Sequence, residues 1–210
     1  MPDAETSSPA LPAAPEATPA RKRPKPGERR VQILEALATM LEQPGSERIT
    51  TAALAARLDV SEAALYRHFA SKAQMFEGLI EFIEQSVFSL VNQIGEREAA
   101  GNAQAAKIVA MLLQFAEKNP GMTRVMVGDA LVFENERLQQ RMNQFFDKIE
   151  STLKQSLRGA PDGSATPTVD AQVRASLLTA FVVGRLQRFA RSGFKRVPSE
   201  HLEASLAKML

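Results

Sequence analysis

The chain has 210 residues, 44% hydrophobic and 24% charged, with a formal net charge of +2. This composition is ordinary for a folded globular protein, and the length suffices for one or two small domains. The absence of cysteine excludes disulfides, thiolate metal sites and cysteine catalysis, and the small net charge excludes a uniformly basic DNA-coating protein. Because no apolar run approaches a membrane span and no apolar signal segment is visible, a cytoplasmic location is expected.

Residues 1–27 are predicted to form an unstructured tail, because they hold seven of the twelve prolines and show no periodicity. The tail ends in a basic cluster at residues 21–26 (RKRPKP). Two roles fit this cluster, an arm that lies along DNA phosphates or a solvated tail that aids solubility. Residues 21–72 carry ten Lys and Arg against six Asp and Glu, so the positive charge is concentrated there.

A first helix is predicted over residues 28–43, followed by two short helices around a tight turn. Its inward stripe is Val31, Leu34, Leu37, Ala38 and Leu41. Thr50 can cap the second helix, residues 59–61 break the pattern, and Ser61 can cap a third over about residues 62–69. Two helices joined by a three-residue turn, the second with a polar outer face, are typical of a helix-turn-helix.

This segment resembles the DNA-binding signature of the TetR family. The matching residues are Thr50, Leu54-Ala55, Val60-Ser61, Leu65-Tyr66, His68-Phe69 and Ser71-Lys72. The chain departs from the family at Asp59, where glycine is common, but Asp tolerates the left-handed conformation expected at this turn. The resemblance implies an all-α fold of about nine helices, with a helix-turn-helix head over residues 28–72 and a helical regulatory and dimerisation domain over residues 73–210.

Double-stranded DNA with a palindromic site is the partner that the resemblance implies for the head. We expect phosphate contacts from Thr51, Tyr66 and Lys72. Base-edge contacts are expected from Glu62, Ala63, Ala64 and Arg67, and the interface is completed by Thr50, Ser61 and His68.

A long fourth helix is predicted from residue 72 to about residue 95, with Ser71 as its cap. Its inward stripe is Phe76, Leu79, Ile80, Ile83, Val87, Leu90, Val91 and Ile94. Phe88 lies off this stripe and is predicted to pack in the core. Phe82 also lies off it, and fits either the core or an exposed contact for a partner.

Five more helices are predicted at residues 102–118, 122–131, 135–158, 168–191 and 199–210, with a flexible loop at 159–167. The eighth helix is expected to begin at a Thr168 cap. One of its faces mixes small and large residues, Val173, Leu177, Ala180, Phe181 and Gly184. This face is predicted to form a symmetric homodimer interface, as the family implies, rather than to pack only within the subunit.

The sequence contains no arrangement typical of an enzyme, and no cofactor or metal site is expected. His68 and His201 are predicted to lie in different helices. The chain has no glycine-rich phosphate loop and no nucleophile elbow. A regulatory rather than catalytic role is therefore predicted.

Over about residues 48–200 the chain also resembles one branch of the family, the bacterial nucleoid occlusion factors. The resemblance rests on residues 61–69 (SEAALYRHF), 75–76, 81–84, 119–124, 133–134, 137–139 and 191–195. It implies a nucleoid-associated protein that binds palindromic chromosomal sites and antagonises the division protein FtsZ, whose C-terminal tail would be bound near Phe82, Lys118 and Asn119. Departures from the branch stand at Leu90, Gln114 and Lys118.

The alternative function is a ligand-responsive repressor, the commonest role in the wider family. A small effector would then occupy a cavity among the fourth to seventh helices and shift the heads apart. The residues that could line such a cavity are Met111, Phe115, Met142 and Phe145. Because residues at this spacing are more often core, no small-molecule ligand is expected.

Overall fold

The computed structural model describes residues 27–43, 49–158 and 167–210, and over these ranges the chain contains nine α-helices and no strand. The helices are α1 (Glu28–Leu41), α2 (Thr51–Arg57), α3 (Glu62–Tyr66), α4 (Lys72–Arg97), α5 (Asn102–Lys118), α6 (Pro120–Met126), α7 (Glu136–Arg158), α8 (Pro167–Arg191) and α9 (Leu202–Met209). A short 3-10 helix, Asp129–Leu131, lies between α6 and α7. The predicted all-α fold is confirmed. The predictions for residues 1–26 and for residues 159–166 of the loop fall outside the described ranges, and Pro167, predicted as the end of that loop, already belongs to α8.

The first three helices, here called the head, pack against α4 and α6. Ile33, Leu37 and Leu41 form the buried stripe of α1, each four residues after the last. The sequence analysis wrongly placed Val31 on this stripe. Because Val31 lies two residues before Ile33, about 200° around the helix, its side chain points to solvent.

Helices α4 to α9 form the rest of the molecule, with α5 packed against α4, α6, α7 and α8. One face of α7 is buried along the length of the helix and consists of Leu138, Met142, Phe145, Ile149, Leu153 and Leu157. Helices α7 and α8 run antiparallel, with Gln172 Nε2 donating to Glu150 Oε1 at 2.7 Å. The buried residues of the head and of the other helices belong to one continuous core.

The contact between α1 and α6 depends on a glycine. A β-carbon built on Gly121 would lie 1.9 Å from the backbone oxygen of Ala38, so only glycine allows the two backbones to approach this closely. Arg124, also on α6, donates from Nη1 to the backbone oxygens of Leu41 and Gln43. Helix α6 therefore holds the end of α1 against the rest of the molecule.

Three predicted boundaries are wrong. Helix α6 spans Pro120–Met126, because Gly128 adopts the left-handed conformation (φ 85°) and ends the helix before residue 131. Helix α9 begins at Leu202, since His201 is also left-handed (φ 54°). Thr168 is the second residue of α8 rather than its cap, because the helix already includes Pro167.

Candidate nucleic-acid interface and regulatory surface

The turn between α2 and α3 has the geometry expected from its sequence. Asp59 has φ 54°, the left-handed conformation predicted for this position. The Asp59 N–H donates to the oxygen of Ala56 (3.1 Å) and the Val60 N–H to that of Ala55 (3.0 Å). These two bonds form a Schellman motif, in which Asp takes the position that usually belongs to glycine.

Serine and threonine hydroxyls cap the helices that surround the turn, as predicted. Thr50 Oγ1 accepts from the Ala53 N–H at 3.1 Å, and Ser61 Oγ accepts from the Ala64 N–H at 3.3 Å. Their hydroxyls are therefore engaged with their own helices. The third helix is shorter than predicted and ends at Tyr66. The N–H groups of His68 and Phe69 both donate to the backbone oxygen of Leu65, which continues the helical turn beyond Tyr66.

The outer face of the head contains nearly all the residues predicted to contact DNA. Leu65 and Phe69 are buried beneath it. The exposed residues are Thr50, Ser61, Glu62, Ala63, Tyr66, Arg67 and His68, whereas Thr51, Ala64 and Lys72 are half-buried. Nine of the ten lie on α2, on α3 or on residues that flank these helices, whereas Lys72 is the first residue of α4.

A hydrogen-bond network joins α2 to α3 on this surface. Thr51 Oγ1 donates to Glu62 Oε2 at 2.6 Å, and the Tyr66 hydroxyl lies 3.5 Å from the same Thr51 oxygen. One oxygen of the Glu62 carboxylate is therefore held by Thr51. The sequence analysis treated these three residues as independent contacts.

Lys72 begins α4 directly after the head, and its ammonium forms an ion pair with Glu134. Both side chains are largely shielded from water, and the ammonium also lies 5.7 Å from the centre of the Phe76 ring. The sequence analysis predicted a phosphate contact for Lys72 without this partner. To contact a DNA phosphate, the Lys72 ammonium must therefore leave the Glu134 carboxylate.

Arg30 makes a contact within the head that was not predicted from the sequence. Its Nη1 donates to the backbone oxygen of His68 at 2.8 Å, and its guanidinium lies 4.1 Å above the Phe69 ring. Arg30 therefore fixes the end of the α3 segment to α1. No local pattern identifies this contact, because the partners are 38 residues apart.

Two more ion pairs continue from Lys72 along the seam between α4 and α7. Arg137 pairs with Glu77, and Arg141 pairs with Glu84 through two bonds of 2.6 and 3.2 Å. The hydrogen bonds that Arg141 donates to the Glu84 carboxylate raise the pKa of Arg141 above its ordinary value. These ion pairs hold the first half of α4 against α7.

A cleft lies between the second half of α4 and the first half of α5. Leu90 lines this cleft and is 37% exposed, so Leu90 does not belong to the predicted inward stripe. Phe82 is 48% exposed and lies about two helical turns earlier on α4. Phe88 instead packs edge-on against Phe145 (5.5 Å), which confirms its predicted core position. The cleft has a volume of about 290 Å³ and is lined by Leu90, Gln93, Ile94, Arg97, Glu98, Lys107 and Met111.

Lys118 and Asn119 lie where α5 ends, next to α6. Lys118 is exposed, as a contact residue requires. Asn119 is half-buried, and its Nδ2 donates to the backbone oxygen of Phe115 at 2.8 Å. The Asn119 side chain therefore caps the end of α5, a role not foreseen from the sequence.

Helix α8 exposes an apolar stripe on the side away from the core. Val173 and Leu177 are exposed, Ala180 follows them, and Phe181 and Gly184 are half-exposed. Val169, which the sequence analysis missed, extends the stripe towards the start of the helix. A β-carbon built on Gly184 would meet nothing within 4 Å, so the space beside this part of the stripe is open in the subunit.

The residues proposed from sequence for an effector cavity divide into two groups. Met142 and Phe145 are fully buried, and Phe145 packs edge-on against Phe88 and Phe146. Met111 and Phe115 are only half-buried. Across the described ranges, no group of three or more His, Asp or Glu residues is arranged to hold a metal, and no helix is long and apolar enough to cross a membrane.

Family comparisons agree with this architecture in both halves of the chain. The profile described as "Bacterial regulatory proteins, tetR family" matches residues 33–79, and the SlmA-like profile "Tetracyclin repressor-like, C-terminal domain" matches residues 102–209. The nucleoid occlusion factor SlmA of Idiomarina loihiensis is 52% identical over 177 residues, which cover 84% of this chain and 90% of the relative. This chain belongs to the SlmA branch of the TetR family. The SlmA of Aliivibrio fischeri is 53% identical over 85% of this chain and 92% of its own length.

Solved structures share the fold of this SlmA-branch chain at much lower identity. The fatty acid degradation regulator FadR of Bacillus halodurans superposes with a TM-score of 0.72 at 12% identity, over 90% of this chain and 97% of that one. A TetR transcriptional regulator from Legionella pneumophila gives 0.67 at 16% identity, over 88% and 97% of the two chains. These similarities support the TetR-type fold alone.

Proposed function

We propose that this protein is a nucleoid occlusion factor, which binds palindromic chromosomal sites as a homodimer and prevents FtsZ assembly over the nucleoid. The observation that carries the proposal is the identity of about one half to SlmA proteins over nine-tenths of their length. A cytoplasmic, nucleoid-associated location follows from this role. We take residues 28–72 as the DNA-binding domain and residues 73–210 as the regulatory and dimerisation domain.

DNA binding is assigned to the outer face of the head. Two heads of a dimer would enter successive major grooves, with half-sites about one helical turn apart. Arg67 and Ala63 are exposed on α3 and suit base-edge contacts, and Glu62 keeps one carboxylate oxygen available beside Thr51. Tyr66 and Lys72 suit phosphate contacts at the edge of the groove.

The exposed stripe of α8 is assigned to the dimer interface. A two-fold axis places the same stripe of both subunits face to face, so the apolar side chains cover each other. Gly184 favours close approach of the helices, since the space beside its α-carbon is open. Such an interface would also set the separation of the two heads.

The FtsZ tail is assigned to the α4–α5 surface. Phe82 offers an exposed aromatic anchor and Lys118 an exposed cation, a combination suited to an acidic peptide with apolar side chains. Asn119 is assigned a positioning role, because its amide caps α5 beside Lys118. The departure at Leu90 enlarges the apolar part of this surface.

A titration of labelled FtsZ C-terminal peptide with the DNA-bound protein tests this assignment. Phe82→Ala should weaken binding by about 1–3 kcal/mol, or about five- to 150-fold, if Phe82 anchors the peptide. Lys118→Glu should weaken binding at least as much through charge reversal. Operator affinity should stay within a few-fold for both variants, because neither residue belongs to the head.

Two controls separate a specific contact from a general loss of surface. Val132→Ala removes an exposed apolar side chain outside the cleft, and Lys148→Glu reverses an exposed charge on α7. Both should retain wild-type peptide affinity. The proposal fails if wild-type protein binds no peptide at micromolar concentration, and the site assignment fails if Phe82→Ala behaves like Val132→Ala.

A further inference from the structure

A strongly basic segment lies where α8 ends and the chain turns towards α9. Between Asp170 and Glu200 the sequence contains six Arg and Lys residues and no acid. Five of them are concentrated at the end of this segment. Four of those five, Arg188, Arg191, Lys195 and Arg196, are here called the basic corner.

Backbone bonds and a buried ring hold the basic corner in a fixed shape. Ser192 Oγ accepts from the N–H groups of both Lys195 (3.1 Å) and Arg196 (2.9 Å). Phe194 adopts a left-handed conformation (φ 64°), and its ring packs 5.1 Å from that of buried Phe189. The two cations are therefore presented by an ordered turn rather than by a loose chain.

All four cations of the basic corner are exposed, and within the described ranges no carboxylate lies within 4 Å of any of them. The fifth cation, Arg185, is used internally: its guanidinium lies over the Phe181 ring and donates to Ser205 Oγ. The charge of the corner is thus not neutralised by the subunit itself. Charges of one sign at this density attract a polyanion.

The corner lies at the end of the molecule that carries the head. Helices α7 and α8 are antiparallel, and Glu150 is level with Gln172. Moving fourteen residues along each helix places Leu186 level with Glu136, the first residue of α7. Arg188, two residues further along α8, therefore lies near the level of Glu134, the carboxylate that holds Lys72. The Ser199 N–H also donates to Glu117 in the last turn of α5. Helix α5 packs against α6, and α6 packs against α1 of the head.

The corner also continues the exposed stripe of α8. Arg188 and Arg191 follow Gly184 at steps of four and three residues, so they share its side of the helix. In a dimer formed through this stripe, the two corners approach the two-fold axis between the heads. Like charges brought together there repel each other unless an anion lies between them.

We propose that the basic corners of a dimer bind the DNA phosphates between the two half-sites. This inference rests on the proposed DNA binding and dimerisation, and adds a contact outside the head. When the heads occupy successive major grooves, the backbone that separates the grooves faces the protein between them. Phosphates there are the counter-charge for both corners, and the contact carries no base specificity.

The salt dependence of DNA affinity measures this contact. We would use a duplex of about 30 base pairs containing the palindrome that wild-type protein selects from a random pool, enough for two half-sites one helical turn apart. The double variant Lys195→Gln, Arg196→Gln removes four charges per dimer. If all four contact phosphates, the slope of log affinity against log salt should fall by about 3.6.

The matched control removes the same number of charges from the opposite end of the molecule. Arg158 ends α7 and Lys208 lies in the last turn of α9, and both are exposed. The double variant Arg158→Gln, Lys208→Gln should keep the wild-type slope. Light scattering and circular dichroism must show that both double variants remain folded and in the wild-type oligomeric state.

A second measurement leaves the protein unchanged. The phosphates between the half-sites are replaced by neutral methylphosphonates. This change should lower the slope of log affinity against log salt for wild-type protein. The slope for the Lys195→Gln, Arg196→Gln variant should hardly change. Equal slopes for wild type, variant and control on native DNA would overturn the proposal. If wild-type protein selects no duplex at all, the proposed DNA binding itself fails, which is a different result.

Discussion

The stripe of α8 gives the sharpest test of the proposed dimer. Leu177 lies at its centre, four residues after Val173 and seven before Gly184. In the Leu177→Asp variant, each subunit loses an apolar contact and gains a carboxylate. A two-fold interface brings the two substituted positions near each other, so one substitution acts twice.

The size of the effect follows from the exposed fractions. Val169, Val173 and Leu177 are 58%, 53% and 56% exposed. Complete burial of such a side chain contributes about 1.5–3 kcal/mol, so covering the exposed half contributes about 1 kcal/mol. Six such side chains in a dimer contribute about 6 kcal/mol. Leu177→Asp removes about 2 kcal/mol of this and buries two unpaired carboxylates, which cost several more.

A total loss of at least about 4 kcal/mol weakens the dimer about a thousand-fold. Sedimentation velocity at micromolar concentration should then show a dimer for wild-type protein and a monomer for the variant. Ser151→Asp places the same charge on an exposed position of α7 and should remain dimeric. A Leu177→Asp protein that sediments as a dimer would remove this stripe from the interface.

Four further substitutions test the head and its attachment. Asp59→Gly should raise the free energy of unfolding by up to about 1 kcal/mol in urea titrations, because glycine adopts φ 54° without the strain of a β-carbon; lower stability would contradict the turn geometry. Gly121→Ala should lower the free energy of unfolding by about 1–3 kcal/mol, because the new methyl group overlaps the oxygen of Ala38. An unchanged midpoint of the urea titration would show that α1 and α6 separate readily. Lys72→Ala should weaken binding to all duplexes and reduce the slope of log affinity against log salt by about 1.8 per dimer. Glu134→Gln frees the Lys72 ammonium and should not weaken DNA binding. An unchanged slope for Lys72→Ala would exclude the phosphate contact.

Local patterns in the sequence predicted the parts of the fold that depend on local physics. The six-residue stripe of α7 is entirely buried, and Asp59 is left-handed as its position in the turn requires. Thr50, Ser61 and Ser71 each cap the helix that follows them. These features involve residues at most a few positions apart, so the spacing of residue types determines them.

Apart from the helix boundaries and Val31, the errors concern contacts between distant segments. Leu90 fits the period of α4 but lies beside the α4–α5 cleft, because periodicity does not show where a neighbouring helix leaves the surface uncovered. The partners Lys72 and Glu134 are 62 residues apart, and Arg137 and Glu77 are 60 apart. Their pairing follows only from the parallel placement of α4 and α7.

The Gly121 contact and the ion pairs at the start of α4 have a consequence for protein engineering. Grafting the head of this chain onto a TetR-type protein of another branch would join surfaces that were not fitted to each other. A functional chimera must carry glycine at position 121 against α1, together with acceptors and donors equivalent to Glu134 and Arg137. The practical unit of exchange is therefore the head with α4, α6 and the first turn of α7, rather than residues 28–72 alone.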